Sequence, residues 1–157
     1  MSFQGKNVLV TGSTSGIGRA AAEQFGRGGA HVIVTGRDQA RGREVVETIE
    51  AGDGTAEFIV ADLSAPGGAR KLTEAVAHVD VLVNNAGIFP FGATHEIPLA
   101  DVRAVFDFNV IVPFTLVAAF APGMAQRGAG AIVYLASDDA SFVTGAILPV
   151  DGGRVAV

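Results

Sequence analysis

The sequence predicts a three-layer α/β domain built on a doubly wound, mostly parallel sheet, and three observations predict it. Short apolar runs alternate with amphipathic stretches from residue 7 to about 135, the rhythm of strands joined by crossover helices. The first run stops in a turn with glycines at 12, 16 and 18, and that turn opens an alanine-rich helical stretch. With 157 residues the chain is long enough for one domain with its own core, so 1–157 is read as a single domain.

The first strand is Asn7 to Val10, and its helix runs from about Ile17 to Arg27, closed by Gly28-Gly29. Strand two is His31 to Thr35. The helix after it starts near Asp38, a good N-cap, and sets Gly42, Val45, Val46 and Ile49 at helical spacing. Strand three is Ala56 to Val60. Ser64 is expected to cap a third helix with Pro66 in its first turn. Strand four, Val79 to Val83, ends in Asn84-Asn-Ala-Gly87. A loop with Pro90, Gly92 and Pro98 leads to a long helix, roughly Leu99 to Met124, and then to strand five, Ala131 to Leu135. The rhythm breaks there, and Ala146 to Val150 reads as one more strand.

Bulk properties narrow the partners. The chain is 49% hydrophobic and 17% charged, apolar enough that part of its surface is expected to lie against a partner subunit. No uninterrupted apolar run reaches the roughly 18 residues of a membrane helix. No apolar signal region follows Met1, which together with the absence of cysteine predicts a cytoplasmic protein. A net charge of −5 without a lysine or arginine cluster argues against nucleic acid and anionic membranes. His31, His78 and His95 are too far apart in sequence to suggest a metal site.

A strand that feeds a glycine turn and then a helix can cradle a dinucleotide. The glycines let the backbone approach a pyrophosphate, and free amides at the helix start point at it. The alternative is a plain strand–helix connection. The turn lacks the Gly-Lys-Ser/Thr of a P-loop, which disfavours an NTPase.

Thr11-Gly-Ser-Thr-Ser-Gly-Ile-Gly18 resembles the Thr-Gly-x-x-x-Gly-x-Gly of the classical short-chain dehydrogenases/reductases. Asn84-Asn-Ala-Gly87 resembles that family's second signature. Leu135-Ala-Ser-Asp, Phe142-Val-Thr-Gly145 and Val150-Asp-Gly-Gly153 resemble its C-terminal signature. The three occur in family order and cover nearly the whole chain. The resemblance implies a Rossmann-type domain that binds a nicotinamide dinucleotide through Gly12, Ser13, Thr14, Ser15, Gly16, Ile17 and Gly18. It also implies Asp62 and Leu63 beside the adenine, and Asn84, Ala86 and Gly87 along the adenosine and ribose. Asp62 has an alternative as a turn former.

The residues after strand two select the cofactor in this family. An acid there bonds the adenosine 2′-hydroxyl, and a base pairs with a 2′-phosphate. Here the acid's place is held by Gly36, and Arg37 follows. A guanidinium matches phosphate in a bidentate pair, so NADP(H) is expected over NAD(H). The alternative is that Arg37 only faces solvent.

The family's chemistry uses a tyrosine, a lysine four residues later, a serine and an asparagine. By resemblance Asn109 takes the place of the asparagine and Ser137 that of the serine, although Ser137 equally fits the plain serine of the C-terminal signature. The Tyr-x-x-x-Lys pair is absent. Tyr134 lies within strand five, and Lys6 and Lys71 both precede it. The strand-five and C-terminal signatures overlap at Leu135-Ala-Ser137, as though a central block had been excised. Asp138, Asp139 and His95 are the nearby candidates for a substitute acid.

That break has consequences. About ten residues, 136–145, join the last two strands, fewer than a parallel crossover needs. The last strand is therefore expected to return antiparallel along strand five or to pair with another subunit. The long helix carries Val105, Phe106, Phe108, Val110, Ile111, Phe114, Leu116, Val117 and Phe120. It is apolar nearly all round and is expected in a homodimer or larger assembly. Three readings follow: an NADP(H)-binding protein with little turnover, a carbonyl reductase or alcohol dehydrogenase with a substitute acid or a partner chain's help, and a non-catalytic truncated product.

Overall fold

The computed structural model describes residues 2–134 and 147–149. Ser137, Asp138, Asp139 and the signature segments 142–145 and 150–153 lie outside the described residues. One six-stranded sheet orders its strands β3-β2-β1-β4-β5-β6. The strands are β1 (Asn7–Val10), β2 (His31–Gly36), β3 (Thr55–Val60), β4 (Val81–Asn84), β5 (Ala131–Tyr134) and β6 (Ile147–Pro149). The first five run parallel, with Leu9 level with Ile33 on one side and Leu82 on the other. The chain order reverses direction at β1, where β2 and β4 flank it. β6 pairs antiparallel to β5, with Ile132 opposite Leu148, so the antiparallel return is the pairing observed.

Alternation along the strands builds two cores. Leu9, Ile33, Leu82 and Ile132 face the layer that contributes Leu72, Leu116, Phe120 and Met124. Val8, Val10, Val32, Val34 and Val83 face Ala22, Val45 and Ile49 on the other side. Burying each such Leu or Val stabilises the fold by about 1.5–3 kcal/mol before entropy is counted.

Helix α1 (Gly16–Arg27) ends at Gly28, whose N–H bonds Gln24 and Phe25. In α2 (Gln39–Glu50) the expected cap is present: Asp38 Oδ1 accepts from the N–H groups of Ala40 at 3.0 Å and Arg41 at 3.1 Å. The third helix departs from expectation. Helix α3 is Gly68–Ala75, its N-cap is Gly67 in the left-handed region, and Ser64 does not cap it. Asp62 Oδ1 accepts from both the N–H and the hydroxyl of Ser64. Ser64 is thereby committed to a turn, which delays the helix.

The long helix is longer than expected and is not uniform. α4 (Leu99–Phe106) passes into a π turn at Asp107–Ile111 and then α5 (Val112–Arg127). The continuous 29 residues are long and apolar enough, by length and composition, to cross a membrane, which the count of uninterrupted apolar residues had not indicated. Pro113, Leu116, Phe120 and Met124 pack one stripe of α5 inward. The opposite side is open: Phe106 is 61% exposed and Phe114 68%.

Candidate functional site: the cavity at the carboxyl ends of the strands

A cavity of about 340 Å³ opens where the chain order reverses, above the carboxyl ends of β1 to β4. Ligands of doubly wound sheets sit in this crevice. The turn before α1 supplies one wall through Gly12, Thr14, Ser15, Gly16 and Ile17. The strand ends supply Gly36, Arg37, Asp62, Leu63, Ala86 and Gly87. All of these but Gly36 were expected to bind the dinucleotide, and those ten meet in one place. Thr35, Ala61, Ser64, Asn85, Ile88 and Phe108 line it as well. Phe108 reaches it from the π turn, 45 or more residues from Leu63 in sequence, a contact that no local pattern announces.

Ser13, Gly18 and Asn84 are brought to the same region but stand behind the wall. Ser13 is fully buried; its Oγ donates to the Val10 carbonyl at 2.7 Å and accepts from the Thr35 N–H at 2.9 Å. Gly18 faces the Gly12 carbonyl and the Asn85 amide so closely that a Cβ would not fit. Asn84 is 5% exposed, and its side-chain amide has no hydrogen-bond partner among the described residues.

The turn is shaped for close approach by a ligand. Gly12 and Gly16 have φ of +65° and +53°, a region that favours glycine. A Cβ at Gly12 would meet Ala86 Cα at 3.1 Å. Thr11, the first residue of the glycine motif and not among the residues expected to touch the dinucleotide, locks this arrangement. Its buried Oγ1 accepts from the N–H groups of Asn85 and Ala86, each at 3.0 Å. Asn85 Nδ2 in turn donates to the Thr11 carbonyl at 2.9 Å. Two signatures more than 70 residues apart are thus bonded into one surface. A threonine at a strand end followed by Asn-Asn far downstream was the available signal.

The charges in the cavity are few. Asp38, next to Arg37 in sequence, is engaged by Arg41 at 3.3 Å, and no ion pair to Arg37 is present among the described residues. The hydrogen bonds from the Ser64 hydroxyl and N–H hold the Asp62 carboxyl below its ordinary range, and the charge of Arg37 adds to this. The turn-forming role of Asp62 is therefore present, carried by Oδ1.

Asn109 lies in the π turn, outside the cavity lining, and both ends of its amide engage Ile88: Oδ1 accepts from its N–H and Nδ2 donates to its carbonyl. It braces the loop that lines the cavity. π turns of this kind concentrate at functional sites. His95 is not among the lining residues; its side chain is 83% exposed and 3.8 Å from Glu96.

Comparison with known proteins places these features. A family model described as short chain dehydrogenase matches residues 6–149. An uncharacterized oxidoreductase of Thermotoga maritima is 39% identical over 140 residues, covering 88% of this chain and 56% of that protein. A crystal structure described as an NAD(P)-dependent gluconate 5-dehydrogenase from Beutenbergia cavernae, with bound NADP, is 41% identical with a TM-score of 0.80; the match covers 87% of this chain and 56% of that one. A 7α-hydroxysteroid dehydrogenase complexed with NADH is 30% identical with a TM-score of 0.82, over 91% of this chain and 57% of that one. The chain thus spans little more than half the length of these relatives.

Proposed function

This chain belongs to the short-chain dehydrogenase family, and on that premise we propose that it binds NADP(H) in the cavity above β1 to β4 with little or no turnover of a carbonyl or alcohol. The observation that carries the cofactor preference is Arg37. It lines the cavity without an ion-pair partner among the described residues, beside a glycine where an acid would select NAD(H).

The residues divide the work of binding. Amides at the start of α1, around Ser15, Gly16 and Ile17, and the positive end of that helix would receive the pyrophosphate. Asp62 Oδ2 and Leu63 would meet the adenine, while Ala86 and Gly87 would line the adenosine side. Ser13, Gly18 and Asn84 would support that surface from behind. The bound dinucleotide would supply hydride chemistry of its own.

The reading against turnover rests on the 157 residues themselves. No tyrosine is followed by a lysine four residues on, and the lone Tyr134 sits within β5. Ser137 remains a candidate that would orient a carbonyl oxygen. The test is NADPH consumption with a panel of small ketones and aldehydes. A rate at the uncatalysed background supports the proposal, and efficient saturable turnover overturns it.

A second reading is favoured by the open apolar side of α4 and α5: activity completed by a partner chain. We propose that a second copy covers this side, giving a homodimer or larger assembly in the cytoplasm. Addition of a full-length family member that restores turnover would support the second reading.

A further inference from the structure

Gly36 ends β2 directly opposite Thr14 of the glycine turn. A Cβ at position 36 would lie 2.7 Å from Thr14 Cγ2, 3.0 Å from its Oγ1 and 3.4 Å from its Cβ. Both branches of the threonine therefore flank the missing carbon. Staggered rotation about χ1 exchanges three positions on Cβ, two of them occupied. Every rotamer of Thr14 consequently leaves at least one heavy atom in the way. A serine or alanine would not.

Retreat of the backbone is blocked on both sides. The Ser13 N–H donates to the Thr35 carbonyl at 3.1 Å, and Ser13 Oγ accepts from the Thr35 N–H at 2.9 Å. These bonds join the residues just before Thr14 and Gly36. On the far side the Gly36 carbonyl accepts from the Ala61 N–H at 3.0 Å. The gap between turn and strand is fixed by buried hydrogen bonds, each of which stabilises by about 0.5–1.5 kcal/mol.

We propose that Thr14 is a specificity-determining residue: it confines position 36 to glycine and so excludes the acidic side chain that would recognise an unphosphorylated adenosine ribose. Selection for the 2′-phosphate then arises from two elements, the attraction of Arg37 and the steric veto of Thr14. The selectivity part rests on the NADP(H) reading above; the steric part rests on the Thr14–Gly36 contact alone. It follows that adding the acid alone does not convert the site.

The test is a double-mutant cycle with two readouts. Dissociation constants for NADPH and NADH are measured by fluorescence titration for the unmodified chain, Thr14→Ala, Gly36→Asp and the double variant. Gly36→Asp alone is expected to weaken NADPH without improving NADH. The double variant is expected to bind NADH at least about tenfold more tightly than Gly36→Asp alone, a coupling within the range for residues in contact. Equal NADH affinity of the single and double variants overturns the proposal. Thermal unfolding without dinucleotide is measured in parallel for Gly36→Ala, made with and without Thr14→Ala. A clearly smaller loss in the Thr14→Ala background supports the steric veto, and equal losses overturn it. An unmodified chain that binds neither dinucleotide overturns the NADP(H) reading and the selectivity claim together, while the unfolding cycle still decides the contact.

Discussion

Asn109 and Ile88 exchange a reciprocal pair of hydrogen bonds, the Asn109 Oδ1 accepting from the Ile88 N–H at 2.9 Å and its Nδ2 donating to the Ile88 carbonyl at 2.8 Å. The pair ties the π turn of the long helix to the loop that follows Asn84-Asn-Ala-Gly87. An asparagine placed for chemistry by its sequence position is thus also a strut. Asn109→Leu keeps the volume and removes both bonds. It is expected to lower stability by about 1–2 kcal/mol, the lower half of two exposed bonds, and to speed hydrogen exchange at the Ile88 amide. Unchanged protection of that amide would show that the loop is held by other contacts.

Thr11 offers a stronger version of the same logic because it is buried. Thr11→Val preserves shape and strips the acceptor from two amides, those of Asn85 and Ala86. Leaving two part-buried donors unpaired costs about 1–3 kcal/mol. Urea denaturation should record that loss, and NADPH binding should weaken with it because both signatures shift.

Arg37→Glu replaces the guanidinium that lines the cavity with an anion. Charge-assisted pairing of guanidinium with phosphate is worth about 1.5–3 kcal/mol. NADPH affinity should therefore fall by about tenfold to a hundredfold, with NADH affinity little changed. Parallel losses for both dinucleotides would mean that Arg37 serves the turn and not the phosphate.

Asp80 governs acid stability at the opposite end of the sheet. Burial opposes its charge, but the Asn7 N–H at 2.9 Å and the charges of His78, Lys6 and Arg127 outweigh that and lower its pKa. A carboxyl whose pKa is depressed on folding contributes stability above its unfolded value of about 3.9, lost as pH falls through the folded value. Unfolding measured below about pH 4 should show this loss, and Asp80→Asn should flatten that part of the curve. An unchanged slope in the variant would assign the acid limb to other carboxylates.

The open side of the long helix predicts assembly. Phe106 and Phe114 are more than half exposed on a long helix that packs inward only along one stripe of α5. Phe114→Glu should shift the protein toward monomer in light scattering. A monomeric unmodified chain contradicts a second copy on this side, and capture by lipid vesicles would instead assign it to a membrane surface.

Much of this was legible in the residues because parallel strands are apolar runs and glycines punctuate them. The turn from Gly12 to Gly18, the Asp38 cap and the strand ends that meet at the cavity all follow from local pattern. The Ser64 cap failed because a side chain that can cap a helix can equally close a turn, and Asp62 two residues earlier took it. The π turn and the reach of Phe108 into the cavity were invisible because they depend on an inserted helical residue and tertiary packing. The Thr14–Gly36 contact was equally hidden. Both residues were read singly, and only the Ser13–Thr35 bonds bring them together.

A side-by-side titration of the unmodified chain with NADPH and NADH, followed by fluorescence, tests the central claim most directly. Saturable binding of one NADPH per chain, with NADH bound at least about tenfold more weakly, is the expected result for a phosphate-recognising guanidinium. No saturable binding, or NADH bound as tightly as NADPH, would contradict it.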